Sequence, residues 1–116
     1  MKGNNNTNFI NKWESQVKKG ILEFIILLYL KSKPYYGYEL ISDIKNLTSF
    51  EVAEGTIYPL LNRLKSEEFI TSEWKEQEVG ILRKYYNISE NGKQMLNLMK
   101  DKWLNLSFAI QKQIMK

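Results

Sequence analysis

Residues 54–64 of this 116-residue chain read Glu54-Gly55-Thr56-Ile57-Tyr58-Pro59-Leu60-Leu61-Asn62-Arg63-Leu64. Their apolar side chains recur at the spacing of one helix face, which predicts a short helix over residues 54–66. Because proline is tolerated mainly in the first turn of a helix, we expect Pro59 to mark the start of that helix. The opposite face is polar, which is typical of the helix that a helix-turn-helix protein places in the major groove of DNA.

Two helices are predicted before this segment. Apolar residues recur every three or four positions from Phe9 to Leu30, which predicts a long first helix that Pro34 ends. A second, shorter helix is expected from about Gly37 to Ile44, since the turn-forming residues 46–50 follow it.

After residue 69 the apolar period changes from about 3.6 residues to two. The alternation over residues 70–75 and 82–88 predicts a two-stranded hairpin with a polar tip between the strands. Ser89 is expected to cap a final helix that begins at Glu90. The order of elements therefore predicts a mainly α fold with a small β-hairpin: a winged helix-turn-helix followed by a long C-terminal helix.

The final helix carries an apolar seam with spacings of three and four residues, the pattern of helices that pack against a partner. Its members are Leu96, Met99, Trp103, Leu106 and Ile110. The seam could cover its own domain, but it extends well past the hairpin. We therefore favour a homodimer whose subunits meet along this helix.

The domain organisation follows from these elements. Residues 1–8 are polar and Asn-rich, and we expect them to form a disordered tail. Residues 9–88 form the winged helix-turn-helix domain and residues 89–116 the dimerisation helix, as one structural unit.

Composition excludes several function classes. The chain has no His and no Cys, which removes imidazole and thiolate chemistry and the metal sites built on it, so we expect no enzyme, no metal and no cofactor. The most apolar run, Ile21 to Leu30, is too short for a membrane span of about 20 residues, and residues 1–8 lack the apolar region of a secretory signal. We expect a cytoplasmic protein that does not contact membranes.

The net charge of +4 is a weak guide to partners. The segment from Glu54 to Lys93 contains six basic and seven acidic residues, so the part of the chain with the best motifs is slightly acidic. Any affinity for nucleic acid must therefore depend on a few well-placed contacts.

Five short segments together resemble the PadR family of transcriptional regulators. They are Gly20-Ile21-Leu22-Glu23, Tyr36-Gly37-Tyr38-Glu39-Leu40, residues 54–64 quoted above, Arg83-Lys84-Tyr85-Tyr86 and Ser89-Glu90-Asn91-Gly92. The length resembles the short branch, which includes phenolic-acid-responsive and multidrug-binding repressors. Glu68 departs from the resemblance, since the family usually has glycine there; a left-handed backbone would cost a non-glycine residue about 1 kcal/mol.

The resemblance and the chemistry of the side chains together suggest the DNA contacts. Tyrosine and threonine hydroxyls suit phosphate oxygens, an asparagine amide suits adenine, and a wing arginine or lysine suits phosphate or the minor groove. The expected set is Tyr35, Tyr36, Gly37, Tyr38, Gly55, Thr56, Tyr58, Pro59, Asn62, Arg63, Lys65, Arg83, Lys84 and Tyr85.

Other roles remain open for some of these residues. Thr56 could merely cap the third helix, Tyr58 could pack on the core, and at least one of the three tyrosines at residues 35–38 could pack under the wing. Glu76 and Glu78 put negative charge at the wing tip, which should repel phosphate.

The seam also suggests an effector site. In a two-fold dimer Trp103 would meet its own counterpart, and two indoles make a slot for a planar aromatic molecule, as a Trp does in the multidrug-binding repressors that this chain resembles. The candidate lining is Trp13, Val17, Gly20, Glu23, Trp103, Leu106, Ser107 and Ile110, with Glu23 available to a cationic ligand. A collapsed interface in which Trp103 is only a packing residue is the alternative.

These expectations define two functional hypotheses. The first is a dimeric, ligand-responsive repressor of its own operon and of an adjacent efflux or detoxification gene, which binds double-stranded DNA at a dyad-symmetric operator. The alternative is a protein-interaction adaptor that keeps the winged-helix frame without operator binding.

Overall fold

The computed structural model describes residues 2–49 and 51–116, with side chains from residue 5 onward. Four helices and three strands follow in the order α1 (Lys2–Ser32), β1 (Tyr35–Tyr36), α2 (Gly37–Thr48), α3 (Glu54–Ser66), β2 (Ile70–Glu78), β3 (Ile81–Ile88) and α4 (Glu90–Ile114). The strands form one antiparallel sheet in the order β1-β3-β2. The fold expected from the sequence, a winged helix-turn-helix with a long C-terminal helix, is confirmed.

The core takes at least one buried side chain from every element. The second half of α1 contributes most, since its apolar residues cover all sides of the helix. Burying one such side chain, Leu27 for example, stabilises the fold by about 1.5–3 kcal/mol. The buried set is Leu22, Ile25, Ile26, Leu27, Leu30, Tyr35, Leu40, Ile44, Ile57, Leu61, Leu64, Ile70, Tyr86 and Leu96.

Two helix boundaries differ from expectation. Helix α2 continues to Thr48 and ends where Ser49 takes a left-handed conformation, with φ of 60°; Phe50 lies outside the described residues. Pro59 is not at the start of α3, because the helix begins five residues earlier at Glu54. The helix tolerates Pro59 because only one backbone hydrogen bond is lost and the residue lies on the exposed side.

The wing is longer than the sequence indicated. Strands β2 and β3 extend to Glu78 and Ile81, so the turn consists of Val79 and Gly80. Gly80 has φ of 82°, a conformation that favours glycine, and its N–H donates to Glu76 Oε1 at 2.8 Å. The carboxylate of Glu76 is therefore used to close the turn.

The joint between α3, the wing and α4 follows the sequence closely. Glu68 is left-handed, with φ of 63°, the conformation that the family resemblance led us to expect at this position. Ser89 caps α4 by accepting from the Gly92 N–H at 2.9 Å, and its hydroxyl donates to the Glu68 carbonyl oxygen at 2.7 Å. A side chain at Gly92 would collide with the Phe69 carbonyl oxygen, so these two backbones pack in direct contact.

The amino-terminal segment is helical, which differs from the expectation. We expected residues 1–8 to form a disordered tail, but α1 begins at Lys2 and includes the rest of that segment; Met1 lies outside the described residues. Together α1 and α4 give the chain an elongated shape of 55 × 34 × 23 Å. No helix within residues 2–49 and 51–116 is long and apolar enough to span a membrane.

Candidate nucleic-acid interface

A groove of about 720 Å³ lies between the helix-turn-helix and the wing. It gathers seven of the residues that the sequence suggested as DNA contacts: Tyr36, Gly37, Tyr38, Tyr58, Asn62, Arg83 and Lys84. Trp74, Leu82 and Tyr86 complete the lining and were not among the expected residues. The other expected contacts, Tyr35, Gly55, Thr56, Pro59, Arg63, Lys65 and Tyr85, are not part of this lining.

Tyr58 and Asn62 lie one helical turn apart on the groove side of α3. Asn62 is exposed, so its amide is accessible to a partner. The Tyr58 ring packs over Gly37 at the start of α2, and a Cβ added to Gly37 would lie 2.7 Å from two ring carbons. Gly37 thus permits the close approach that sets the Tyr58 ring in the groove.

Thr56 does not cap α3. The N-cap position is Ala53, which makes no side-chain capping bond, and the Thr56 backbone N–H donates to the Ala53 carbonyl oxygen at 3.0 Å. The capping role that competed with DNA contact is therefore wrong for this residue.

Arg63 and Lys65 project to opposite sides of α3. Arg63 Nη1 lies 3.1 Å from Glu23 Oε1 on α1. Lys65 Nζ donates to Ser72 Oγ on β2 at 2.7 Å. Both cations hold α3 to its neighbours, and neither lines the groove.

The tyrosines at residues 35–38 divide into packing and groove residues. Tyr35 is only 5% exposed and meets the Tyr29 ring edge-on, so it has the packing role that the sequence left open for one of the three. Tyr36 lies between the Tyr85 ring and the Arg83 guanidinium, whose carbon is 4.6 Å from the ring centre. Tyr38 is 66% exposed beside the groove.

Burial affects the chemistry of three of the phenols. It raises the pKa of Tyr29, the pKa of Tyr35 and the pKa of Tyr86 above the ordinary value of 10.0; Asp43 adds a smaller contribution at Tyr29 and Tyr35, and Tyr58 does so at Tyr86. These phenols therefore remain protonated at neutral pH.

The wing carries cations that contact neighbouring side chains and apolar side chains that are exposed. Besides Arg83, Lys75 Nζ lies 3.3 Å from Glu73 Oε1 and 5.5 Å from the Tyr85 ring centre. Trp74 pairs with Lys84 across the hairpin, and its alternation with Ser72 was the signal that could have placed it on the groove side.

A second, apolar cavity of about 440 Å³ lies between α1 and α4. Its lining is Gly20, Ile21, Phe24, Met95, Leu98, Met99, Lys102, Trp103 and Leu106. Three of the expected effector residues are here: Gly20, Trp103 and Leu106. Phe24 was missed, although it follows Gly20 by one helical turn; its ring centre lies 6.2 Å from that of Trp103.

The remaining expected effector residues are placed elsewhere. Trp13, Val17, Ser107 and Ile110 do not line this cavity of the subunit. Glu23 pairs with Arg63 and borders a separate depression beside α3, so its carboxylate faces away from the cavity that Gly20, Trp103 and Leu106 line. The physical reason is that Glu23 lies on the α3 side of α1, whereas Gly20 and Phe24 lie on the α4 side.

The apolar seam of α4 is partly internal. Leu96 is only 3% exposed and belongs to the core of the single chain, so the expectation that it lies at a dimer interface is wrong; Met99 also packs against that core. Trp103, Leu106 and Ile110 remain exposed. Further exposed apolar residues, not expected from the seam, are Phe9 and Ile10 on α1 and Leu104, Phe108 and Ile114 on α4.

Within the part of the chain that the structure describes, no cluster of three or more acidic side chains could hold a metal ion. The groove instead offers aromatic hydroxyls, one amide and two cations. This set suits hydrogen bonding and electrostatic contact with a polyanion.

Comparison with known proteins agrees with this arrangement. The model of the transcriptional regulator PadR-like family matches residues 26–98. A Lysinibacillus sphaericus protein is 36% identical over 98 residues, which are 83% of this chain and 90% of that protein. The crystal structure of a PadR-like transcriptional regulator from Bacillus cereus is 35% identical, with a TM-score of 0.80 over 85% of this chain and 96% of the other.

A longer relative is the Escherichia coli transcriptional regulator YqjI. It is 38% identical over 79 residues, which are 66% of this chain and 36% of that regulator. The match of the family model over most of the chain, together with the winged-helix fold, establishes the relationship. This chain belongs to the PadR-like family of transcriptional regulators.

Proposed function

We propose that this regulator is a homodimeric repressor that binds a dyad-symmetric DNA operator and releases it when a planar aromatic molecule binds. The observation that carries the proposal is the position of Tyr58 and Asn62 on one face of α3, in a groove that Lys84 borders on the other side. In winged helix-turn-helix proteins such a helix enters the major groove and the wing approaches the neighbouring backbone or minor groove.

Each groove residue has a chemical use in this proposal. The Asn62 amide can donate from Nδ2 to adenine N7 and accept at Oδ1 from the adenine N6–H, the bidentate pair that favours adenine. The Tyr36, Tyr38 and Tyr58 hydroxyls can donate to phosphate oxygens. Thr56 and Gly55, at the amino end of α3, would lie against the DNA backbone, where the helix dipole favours a phosphate. Lys84 supplies positive charge from the wing.

The exposed apolar residues of α1 and α4 support the proposed dimer. Trp103, Leu106 and Ile110 form a stripe that the rest of the chain leaves 39–56% exposed, and Phe9, Ile10 and Trp13 add a second apolar surface on α1. Exposed apolar area of this extent is characteristic of subunit contacts. Two recognition helices placed about 34 Å apart by the two-fold axis would read successive major grooves.

The cavity between α1 and α4 supports the proposed effector site. The Phe24 and Trp103 rings form an aromatic wall, and the lining is apolar apart from Lys102. Because the cavity opens beside the proposed dimer seam, a ligand there would change how the subunits meet and so the distance between the recognition helices.

The DNA-binding proposal is tested with a duplex selected by the wild-type protein from a random-sequence library. We expect saturable binding at moderate salt, and we expect Asn62→Ala to weaken it by about 1–3 kcal/mol without changing the dimer. If the wild type enriches no duplex, the result would favour a protein-interaction adaptor. The acidic side chains of the wing are compatible with that function.

The dimer and the effector site have their own tests. Sedimentation should give a dimer for the wild type and a monomer for the Leu106→Glu, Ile110→Glu double variant, because two charges would be buried in the seam. A planar aromatic dye such as ethidium should quench Trp fluorescence in the wild type and much less in Trp103→Phe. Equal quenching in both proteins would exclude the proposed site.

A further inference from the structure

The wing presents two large apolar side chains to the groove that lies between it and α3. One face of the hairpin begins in the core with Ile70 and Tyr86 and continues beyond it with the cross-strand pairs Trp74–Lys84 and Leu82–Glu76. Trp74 is 65% exposed and Leu82 is similarly exposed, yet both line the same groove as Asn62. Two exposed apolar side chains, Trp74 and Leu82, are thus placed beside the surface that we assign to DNA.

Electrostatic attraction alone cannot make this wing bind DNA strongly. Residues 73–84 carry three basic and three acidic side chains, so the wing has no net charge. Arg83 stacks on Tyr36 and Lys75 pairs with Glu73, whereas Glu78 stands near the tip. The attraction of the wing to phosphates is therefore small, and another interaction is needed if the wing contributes to binding.

We propose that Trp74 is a DNA-contacting residue and that, with Leu82, it packs against the sugars and base edges of the minor groove next to the major groove occupied by α3. This inference rests on the proposed DNA binding. Apolar side chains are used in this way by minor-groove proteins, and the indole Nε1–H can donate to the N3 and O2 acceptors of A·T pairs. Lys84, the cross-strand partner of Trp74, would lie beside the adjacent phosphates.

Two consequences distinguish this contact from an electrostatic one. Removing Trp74 should reduce affinity without changing the salt dependence of binding, because no phosphate contact is lost. It should also relax the preference for A·T pairs at the flank of the selected site, where the wing lies.

The test uses the full chain and the duplex selected by the wild type. We expect Trp74→Ala to weaken binding about tenfold or more, the size of effect typical of a buried interfacial tryptophan, with the slope of log affinity against log salt unchanged. Lys84→Gln should instead lower that slope by about one. Val79→Ser is the matched control, because Val79 is 99% exposed at the wing turn but lies outside the groove.

A second measurement leaves Trp74 in place. Among the three tryptophans of the chain, Trp13 and Trp103 are replaced by Phe, so that Trp74 is the sole fluorophore. With binding of the selected duplex by this double variant verified by gel shift, the duplex should shift the Trp74 emission and protect it from acrylamide quenching. Unchanged quenching, or Trp74→Ala affinity within twofold of the wild type, overturns the inference while operator binding stands; absence of wild-type binding to any duplex overturns the proposed function as well.

Discussion

The guanidinium of Arg63 on α3 pairs with the carboxylate of Glu23 on α1, with Nη1 3.1 Å from Oε1. Glu23 lies between Gly20 and Phe24 along the chain, and both of those line the cavity on the other side of α1. Helix α3 is thus linked by an ion pair to α1, the helix that helps to form the proposed effector site. The pair also takes Arg63 away from the face that carries Asn62.

This placement predicts unequal effects at two neighbouring positions. Arg63→Ala should weaken binding to the selected duplex less than Asn62→Ala, since only Asn62 lines the groove. Because the pair is partly exposed, Arg63→Ala should change the free energy of unfolding by no more than about 1 kcal/mol. Gel shifts and urea unfolding measure both quantities, and equal losses of affinity would show that Arg63 itself contacts DNA.

Gly37→Ala should affect DNA binding more than stability. The added Cβ would collide with the Tyr58 ring, whose outer end can move aside, so Tyr58 would leave its place in the groove. We expect the affinity for the selected duplex to fall about tenfold, which corresponds to the loss of one good contact. The free energy of unfolding should change little. Gly20→Ala is the control: its Cβ meets nothing within 4 Å, so affinity should be kept.

Glu68→Gly should stabilise the fold. Glycine adopts the left-handed conformation at φ of 63° without the steric cost that glutamate incurs, which is about 1 kcal/mol. Glu67 has an ordinary right-handed conformation, with φ of −79°, and Glu67→Gly should instead be neutral or destabilising. Urea unfolding of the two variants compares them, and stabilisation by both would contradict the conformational explanation.

Ser89→Ala should destabilise the joint between the wing and α4. The substitution removes the bond from the Gly92 N–H and the bond to the Glu68 carbonyl oxygen, and loss of a helix cap alone costs about 0.5–2 kcal/mol. Ser107 makes only a hydrogen bond within α4, to the Leu104 carbonyl oxygen, so Ser107→Ala serves as the comparison. Similar unfolding midpoints for the two variants would rule out the capping role.

Stability should fall at alkaline pH because of Tyr86. Burial raises the pKa of Tyr86 above 10.0, so the folded state holds its proton more tightly than the unfolded chain does. The contribution of Tyr86 to the free energy of unfolding is fully present below pH 10.0, and it is lost as the pH rises through the folded-state pKa. Unfolding free energies measured from pH 8 upward should decline less steeply above pH 10 in Tyr86→Phe than in the wild type.

Local patterns account for most of the helices and for the joint at the wing. The spacing of apolar residues located α3 within residues 54–66, and the side-chain chemistry of Ser89 identified the start of α4. These features depend on residues within a few positions of each other, so the sequence determines them directly. Even the left-handed Glu68 was predictable, because the resemblance marks it as a glycine position.

Contacts between distant parts of the chain decided the rest. The two residues of β1 become a strand only because Tyr35 and Tyr36 pair with Tyr86 and Tyr85, about fifty positions away. The α4 seam looks uniform in sequence, yet Leu96 is buried in the core whereas Ile110 stays 50% exposed.

The sequence alone therefore determined the order of the elements, the family resemblance and most of the groove residues. Only the tertiary structure decided that Arg63 faces Glu23, that Trp74 reaches the groove and that Leu96 is internal. The physical reason is that periodicity tells which side chains share a face, whereas the direction of that face depends on the elements packed around it.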